Sequence, residues 1–345
     1  MSGWENPIFG DELERFAAGL SDPRCAAIAK RLASPLRVAV SGRCGVGRNT
    51  VARALARAGD LRGTIALTST PSHAEVDVYV LAEVVKPEDR DAIRAAARPV
   101  LTVLNKADLI AITECGSHPY GPSAAARARC ALLSTGVGMP VEPLAGVLAV
   151  AALDELVDDT LWAALQSLAA QPADVSSPDQ FLACEHPVGA QLRRRLVDTL
   201  DMFGVAQAVV AIRRGATRAD TGALLRALSC IDDVVDKIEV LGAQVHYRRV
   251  LDAVAELETL AVTDRRVGEF LSRDDAVVAR MTAAIAAVEA VGMTVDRCDT
   301  AAAHLRRALH WHSYRRGSVV AVHRACGSDI VRGSLRLWAN AGGLE

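Results

Sequence analysis

The chain has 345 residues, of which 51% are hydrophobic and only 4% aromatic, and its formal net charge at pH 7 is −2. This length accommodates about two domains, and the nearly neutral charge gives no reason to expect a nucleic-acid partner or general attraction to anionic membranes. No apolar run approaches the roughly 18 residues that a transmembrane helix needs, so no membrane span is predicted.

Cysteine and histidine usage argues against a disulfide framework and a metal site. The eight cysteines form no C-x-x-C pair, and no secretory apolar segment opens the sequence. We therefore expect reduced thiols in a cytoplasmic protein with no metal ligands. The basic runs at 193–195 and 315–316 are predicted to be solvated helix faces.

The first segment, residues 1–34, is predicted to be helical between Phe9 and Leu32 with a break near Pro23. Such a segment in front of an α/β domain is expected to pack on the helices of the second half of the chain.

Residues 36–50 combine a strand, a glycine loop and a helix start. An apolar run that includes Val38 and Val40 precedes the loop, and a helical pattern begins near Thr50. A strand, glycine loop and helix in this order place backbone N–H groups and a helix N-terminus around an anion. The predicted loop contacts are Gly42, Gly45, Gly47, Arg48, Asn49 and Thr50.

Short apolar runs alternate with helical segments from residue 36 to about 170, which predicts a mostly parallel sheet of about five strands covered by helices on both faces. The candidate strands are 36–41, 64–69, 76–85, 99–104 and 146–151. Only residues 70–75 join the second and third runs, whereas a parallel crossover normally needs ten or more. Either that connection is a stretched loop or 64–69 is not a parallel strand.

Directly after the fourth run, Asn105, Lys106 and Asp108 form the pattern N-K-x-D. An aspartate at this position can accept hydrogen bonds from both N1–H and the exocyclic amine of guanine, a pair that adenine does not offer. The pattern gains weight because it follows a predicted buried strand about sixty residues beyond a glycine loop.

With these motifs the sequence resembles the Era-like and dynamin-like GTPases of the translation-factor-related P-loop class, over roughly residues 36–170. The resemblance implies a G-domain-like fold, GDP or GTP as the ligand, and base recognition by Asn105, Lys106 and Asp108. It also places the backbone of Ala152, within the run 150–153, where the family has its Ser-Ala-Lys loop.

The sequence departs from the family at the groups that hold the γ-phosphate and magnesium. The phosphate lysine is replaced by Arg48 and the magnesium-binding hydroxyl by Asn49, while both functional ends of the family's Asp-x-x-Gly are serines, Ser69 and Ser72. The segment 59–63 leaves no room for the first switch. Because phosphoryl transfer relies on such charge-neutralising groups, the sequence argues against Mg²⁺ and against fast hydrolysis, and no catalytic residue is assigned. Thr50 remains as an α-phosphate contact.

The second half carries no strand signal of comparable weight. Apolar residues recur at helical spacing from Leu224 to Leu241 and again from Val250 to Leu260, which predicts an antiparallel helical bundle. The predicted organisation is therefore a helical segment at 1–34, a degenerate P-loop GTPase-like domain at 35–170 and a helical bundle domain at 171–345.

Three functional hypotheses fit these features. The first is a GTPase-like regulatory or scaffolding subunit with a degenerate nucleotide site, partnered by a second copy or by an active relative. The second is an active dynamin-like GTPase that self-assembles or makes peripheral membrane contact. The third is a nucleotide-independent interaction protein in which the glycine loop is only a tight turn.

Overall fold

The computed structural model describes residues 8–20, 22–109, 122–175 and 177–342. Its centre is a five-stranded, all-parallel sheet with the strand order β2-β1-β3-β4-β5. The strands are β1 (Leu36–Gly42), β2 (Ile65–Leu67), β3 (Val76–Leu81), β4 (Val100–Asn105) and β5 (Val141–Leu144). Their valine- and leucine-rich sequences suit a sheet that is covered on both faces.

Helices make up most of the remaining described chain. They are α1 (Phe9–Leu20), α2 (Pro23–Leu32), α3 (Arg48–Arg62), α4 (Pro87–Arg94), α5 (Pro122–Val137), α6 (Gly146–Leu153), α7 (Asp159–Ala170), α8 (Pro178–Ala183), α9 (Ala190–Arg213), α10 (Arg218–Ser229), α11 (Ile231–Ala261), α12 (Arg265–Ser272), α13 (Asp274–Glu289), α14 (Ala301–Arg316) and α15 (Ala321–Asn340). The predicted mixture of a parallel α/β sheet and a helical region is confirmed.

The short connection between β2 and β3 is a loop with one 3₁₀ turn at Pro71–His73. It can be short because β2 reaches only the beginning of β1. The Thr68 N–H donates to the Val38 carbonyl at 2.9 Å, and β3 begins with Val76 opposite Val38 on the other side of β1. The end of β2 and the start of β3 therefore lie at the same level of the sheet, so the loop does not have to run back along the length of a strand.

The predicted strand at 146–151 is wrong. These residues lie in α6, and the fifth strand is the preceding β5. A short, wholly apolar run does not distinguish a buried strand from a buried helix by periodicity, and here alanines favour the helix. The strand escaped prediction because Pro143 interrupts it, which β5 tolerates as an edge strand.

The chain divides into two compact units, residues 1–36 with 240–345, and residues 37–239. Helices α8, α9 and α10 therefore group with the sheet, which differs from a boundary at residue 170. In the first unit, α1 and α2 share one hydrophobic cluster with helices α11, α12 and α13, built around Phe9, Leu13, Ile28, Leu257 and Phe270.

The apolar stripe predicted from Leu224 to Leu241 is not one helix. Cys230 adopts a left-handed conformation, with φ 59°, and separates α10 from α11. Leu228 and Val235 thus lie on different helices: Leu228 is half-buried against the cluster of α7 to α10, and Val235 is fully buried.

The basic run at 193–195 is not a uniformly solvated face. Arg193 is buried, and its Nη2 donates to the carbonyls of Leu182 and Cys184 at 3.1 and 2.8 Å. Its guanidinium also lies over the Phe181 ring. The prediction is therefore wrong for Arg193, whose side chain fixes the turn after α8.

None of the helices in the described part of the chain combines the length and the apolar character needed to cross a bilayer.

Candidate functional site

The glycine loop, residues 42–47, connects the carboxyl end of β1 to α3. In the order β2-β1-β3-β4-β5, the chain leaves β1 for β2 on one side, while β3 and the later strands lie on the other. Open parallel sheets bind ligands outside the carboxyl ends of strands at such a change of direction. The sequence motif and the strand order therefore indicate the same place.

Two glycines of this loop have no room for a side chain. Gly42 has a φ of 140°, and a Cβ there would lie 2.5 Å from the Val80 carbonyl oxygen. Gly47 has a φ of 88°, and its Cβ would lie 2.3 Å from Asn105 Nδ2. The loop thus passes directly over β3 and the end of β4, which only glycine permits at these two positions.

The first turn of α3 presents the residues that replace the family's lysine and hydroxyl. Gly47 is the N-cap and offers no side-chain bond to the first helical N–H groups. Arg48 and Asn49 are exposed and Thr50 is half-buried. Within the described chain, no hydrogen bond or ion pair engages the Arg48 guanidinium. This cation is therefore available to an anion that approaches the loop.

Asn105, at the end of β4, ties the loop to the start of α6. Its side chain is 4% exposed. Nδ2 donates to the Val46 carbonyl at 2.9 Å, and Oδ1 accepts from the Gly146 N–H at 3.1 Å. Asn105 therefore holds the glycine loop and the β5–α6 turn together rather than pointing into solvent.

Asp108 lies in a helical turn that begins at Ala107, and it is only 6% exposed. No side-chain hydrogen bond or ion pair from another described residue satisfies its carboxylate. Burial raises the pKa of Asp108 to about 6; the hydrogen bond from its own backbone N–H opposes this shift, the nearby charge of Asp201 adds to it, and Lys106 opposes it. A buried carboxylate that receives no hydrogen bond from another side chain is costly, and it suits a ligand that brings hydrogen-bond donors.

The sequence analysis did not single out Asp201, whose negative charge contributes to the raised pKa of Asp108. Asp201 interrupts α9 with φ 57° and ψ 170°, and its Oδ1 accepts from the Met202 N–H at 2.7 Å. The sequence does not predict this break, because no residue pattern identifies a non-glycine residue with positive φ inside a helical segment.

Lys106 lies between Asn105 and Asp108 in a left-handed conformation, with φ 60°, and its side chain is exposed. The three predicted base-site residues therefore occupy one turn at the carboxyl end of β4.

Ala152 is not part of a loop after a strand. It lies inside α6, half-buried, so the assignment of a family-like loop to 150–153 is wrong. The turn that follows the last strand is Ala145–Gly146. The Ala145 N–H donates to the Ser229 carbonyl at 3.0 Å, and Gly146 contacts Asn105. The error follows directly from the misplaced strand at 146–151.

The segment that carries Ser69 and Ser72 begins and ends beside Val38 and Arg37, near the start of β1, whereas the glycine loop follows the carboxyl end of β1. Ser69 and Ser72 lie between β2 and β3, and α3 joins β2 through only Gly63 and Thr64. Within the described ranges, no three His, Cys, Asp or Glu side chains converge as metal ligands. Hard oxygen ligands with negative charge are what Mg²⁺ needs from a protein, and Asn49 itself offers only a neutral amide oxygen.

No protein-family model matches this chain, and no curated protein matches it. The resemblance to GTPases therefore depends on the motif residues and on their positions in the sheet.

The binding of a guanine nucleotide should depend on the ionisation of Asp108. The protonated carboxyl group has one hydrogen-bond acceptor fewer than the carboxylate. GDP affinity should therefore be constant above about pH 7 and fall by about tenfold per pH unit below pH 6. The phosphates of GDP also titrate in this range. Calorimetry on wild type and Asp108→Ala at pH 5 to 8 isolates the Asp108 contribution, because only wild type should carry the additional slope.

The raised pKa of Asp108 also makes the stability of the folded state depend on pH. Because the pKa rises from 3.8 to about 6 on folding, the folded state holds this proton more tightly than the unfolded chain. The group therefore favours folding below about pH 4, and that contribution is lost as the pH rises through 6.

Proposed function

We propose that this protein binds a guanine nucleotide, GDP better than GTP, and acts as a regulatory or scaffolding subunit rather than as a fast hydrolase. The observation that carries the proposal is the pairing of two features at the end of β4. Asn105 is bonded to both the glycine loop and Gly146, and Asp108 next to it keeps a buried carboxylate without a donor from another side chain. We expect N1–H and the 2-amino group of guanine to donate to the Asp108 carboxylate.

The phosphate end supports a diphosphate more than a triphosphate with magnesium. The open N-terminus of α3 and the exposed Arg48 offer N–H groups and one cation. Arginine binds phosphate well, but its planar fork is wider than the ammonium that a tight loop encloses. With Asn49 in place of the magnesium-binding hydroxyl, and with the segment of Ser69 and Ser72 bonded near the start of β1 instead of beside the glycine loop, little remains to neutralise a γ-phosphate.

Calorimetric titration with GDP, GTP and GMP, each with and without Mg²⁺, tests this function. The proposal expects binding of GDP that EDTA does not alter, weaker GMP binding, and no gain from GTP. Strong Mg²⁺-dependent binding of GTP would favour an active GTPase that assembles or acts at membranes. No binding of any nucleotide would favour an interaction protein in which the loop is only structural.

Hydrolysis of GTP should be undetectable or very slow and should not respond to Mg²⁺, because Asn49 stands where the resembling GTPases carry the magnesium-binding hydroxyl, and Ser69 stands where their sequences carry the Asp-x-x-Gly aspartate. Phosphate release from GTP, measured with and without EDTA, checks this. A steady turnover of about 1 per second, ordinary for an enzyme, would contradict the proposal.

A subunit with such a site acts through a protein partner. We expect that partner to be a second copy or a related active GTPase, and analytical ultracentrifugation with and without GDP would detect the first of these.

A further inference from the structure

The glycine loop carries a second arginine, Arg43, whose side chain turns away from the loop and onto α4. Its Nε donates to Asp89 Oδ1 at 2.8 Å, and its Nη2 donates to the Val84 carbonyl at 3.4 Å. The Arg43 side chain is 24% exposed, and Asp89 is 0% exposed. The pair joins the first loop residue after β1 to a helix 46 positions later in the chain.

Both carboxylate oxygens of Asp89 accept hydrogen bonds. Oδ1 also accepts from the Tyr79 hydroxyl at 2.9 Å, and Oδ2 accepts from the Lys86 N–H at 2.8 Å. Burial alone would raise the pKa of Asp89, but the hydrogen bonds from Arg43, Lys86 and Tyr79 outweigh it and hold this pKa below its usual value. The carboxylate is thus a fixed charge between β3 and the start of α4.

These contacts give the loop an anchor at each end. Asn105 holds the Val46 carbonyl at the helix end, and Asp89 holds Arg43 at the strand end. The loop backbone between the two anchors includes Cys44 and Gly45, both exposed. A loop that is fixed before binding loses less conformational entropy when it closes on a ligand.

We propose that Asp89 is a positioning residue of the phosphate site: through Arg43 it holds the glycine loop in the curve that receives the diphosphate, and it leaves Arg48 as the cation that contacts the phosphates. This inference rests on the proposed nucleotide-binding function. It assigns Arg43 to positioning the loop and Arg48, the first residue of α3, to binding the phosphates.

The first test compares GDP with guanosine, which lacks phosphates. Asp89→Asn and Arg43→Gln should each weaken GDP binding by about tenfold and leave guanosine binding within twofold of wild type, because only the phosphate loop loses its anchor. Arg43→Lys, which keeps the ion pair, should stay within about threefold. A general structural defect would instead lower the affinity for both ligands.

Asp89→Asn separates positioning by Arg43 from direct phosphate contact. The substitution frees Arg43, so a guanidinium that contacts phosphate would bind GDP as tightly as before or more tightly. Either result would overturn the proposal, as would an unchanged ratio of GDP to guanosine affinity in Arg43→Gln.

A matched control lies on the same strand, β3. Asp77 forms an ion pair with Arg98 at 3.0 Å, at the opposite end of the sheet from the glycine loop. Asp77→Asn removes an Arg–Asp pair whose aspartate is 16% exposed, and it should change neither affinity. Thermal unfolding of all the variants shows which of them remain folded under the assay conditions.

A second measurement needs no nucleotide. Peptide-resolved alkylation of Cys44 by iodoacetamide should be severalfold faster in Asp89→Asn, where the loop is released and Arg43 is free beside the thiol, but unchanged in Asp77→Asn. If wild type binds neither GDP nor guanosine, the proposed function fails, and the alkylation rates still decide whether Asp89 positions the loop. Equal rates in Asp89→Asn and wild type would refute it.

Discussion

Replacing Asp108 by alanine is expected to weaken GDP binding by roughly 2 to 4 kcal/mol, since two hydrogen bonds to a desolvated base are lost and each such loss costs about 1 to 3 kcal/mol. Asp108 is 6% exposed, so water has little access to the space that the carboxylate leaves and does not replace its hydrogen bonds to the base. Calorimetry measures the change. Unaltered GDP affinity in Asp108→Ala would place the base site elsewhere.

Asp108→Asn is the sharper form of this test. An amide at this position donates as well as accepts, and xanthine carries an oxygen where guanine carries the 2-amino group. The variant should therefore lose GDP and gain xanthosine diphosphate, because the donor and acceptor pattern is reversed at one position. Asp77→Asn serves as a control, since Asp77 lies on β3 at the opposite end of the sheet from Asp108.

The central strands were predictable because parallel strands buried on both faces read as continuous apolar runs. The run at 76–85 predicted β3 with four residues too many at its end, and the run at 99–104 predicted β4 with an error of one residue at each end. The outer strand β5 carries Pro143 and is only four residues long, so its sequence does not differ from a loop. Because the fifth strand was predicted at 146–151 instead, Ala152 was wrongly predicted to lie in the loop after that strand.

The break between α10 and α11 was hidden for a different reason. Leu228, Val235 and their neighbours keep a helical spacing across the junction, yet Cys230 turns the chain with a left-handed φ of 59°. Hydrophobic spacing indicates which residues face a core. It does not indicate where the backbone changes direction between two helices that share that core.

The candidate site was predictable where one short motif contains it. Gly42, Gly47 and Asn105 meet because a glycine loop and a motif after β4 both lie at the carboxyl edge of a parallel sheet. The hydrogen bond between Arg43 and Asp89 joins positions far apart in the chain, and Asp89 lies in no recognisable pattern. Such tertiary contacts require the fold before they can be seen.

Val235→Asp should be the most destabilising single change that we predict here. Val235 is 0% exposed on α11, and its replacement would bury a carboxylate without a partner at a cost of about 3 to 5 kcal/mol. Total stabilities of domains are about 5 to 15 kcal/mol, so much of the margin would be lost. Circular dichroism during urea unfolding measures it.

Val240→Asp is the matched control, because it makes the same substitution on the same helix at a residue that is 50% exposed. Its unfolding free energy should stay within about 0.5 kcal/mol of wild type. If Val235→Asp remains as stable as this control but sediments as a smaller species than wild type, the Val235 face is an interface between chains, and its burial inside the unit of residues 37–239 is refuted.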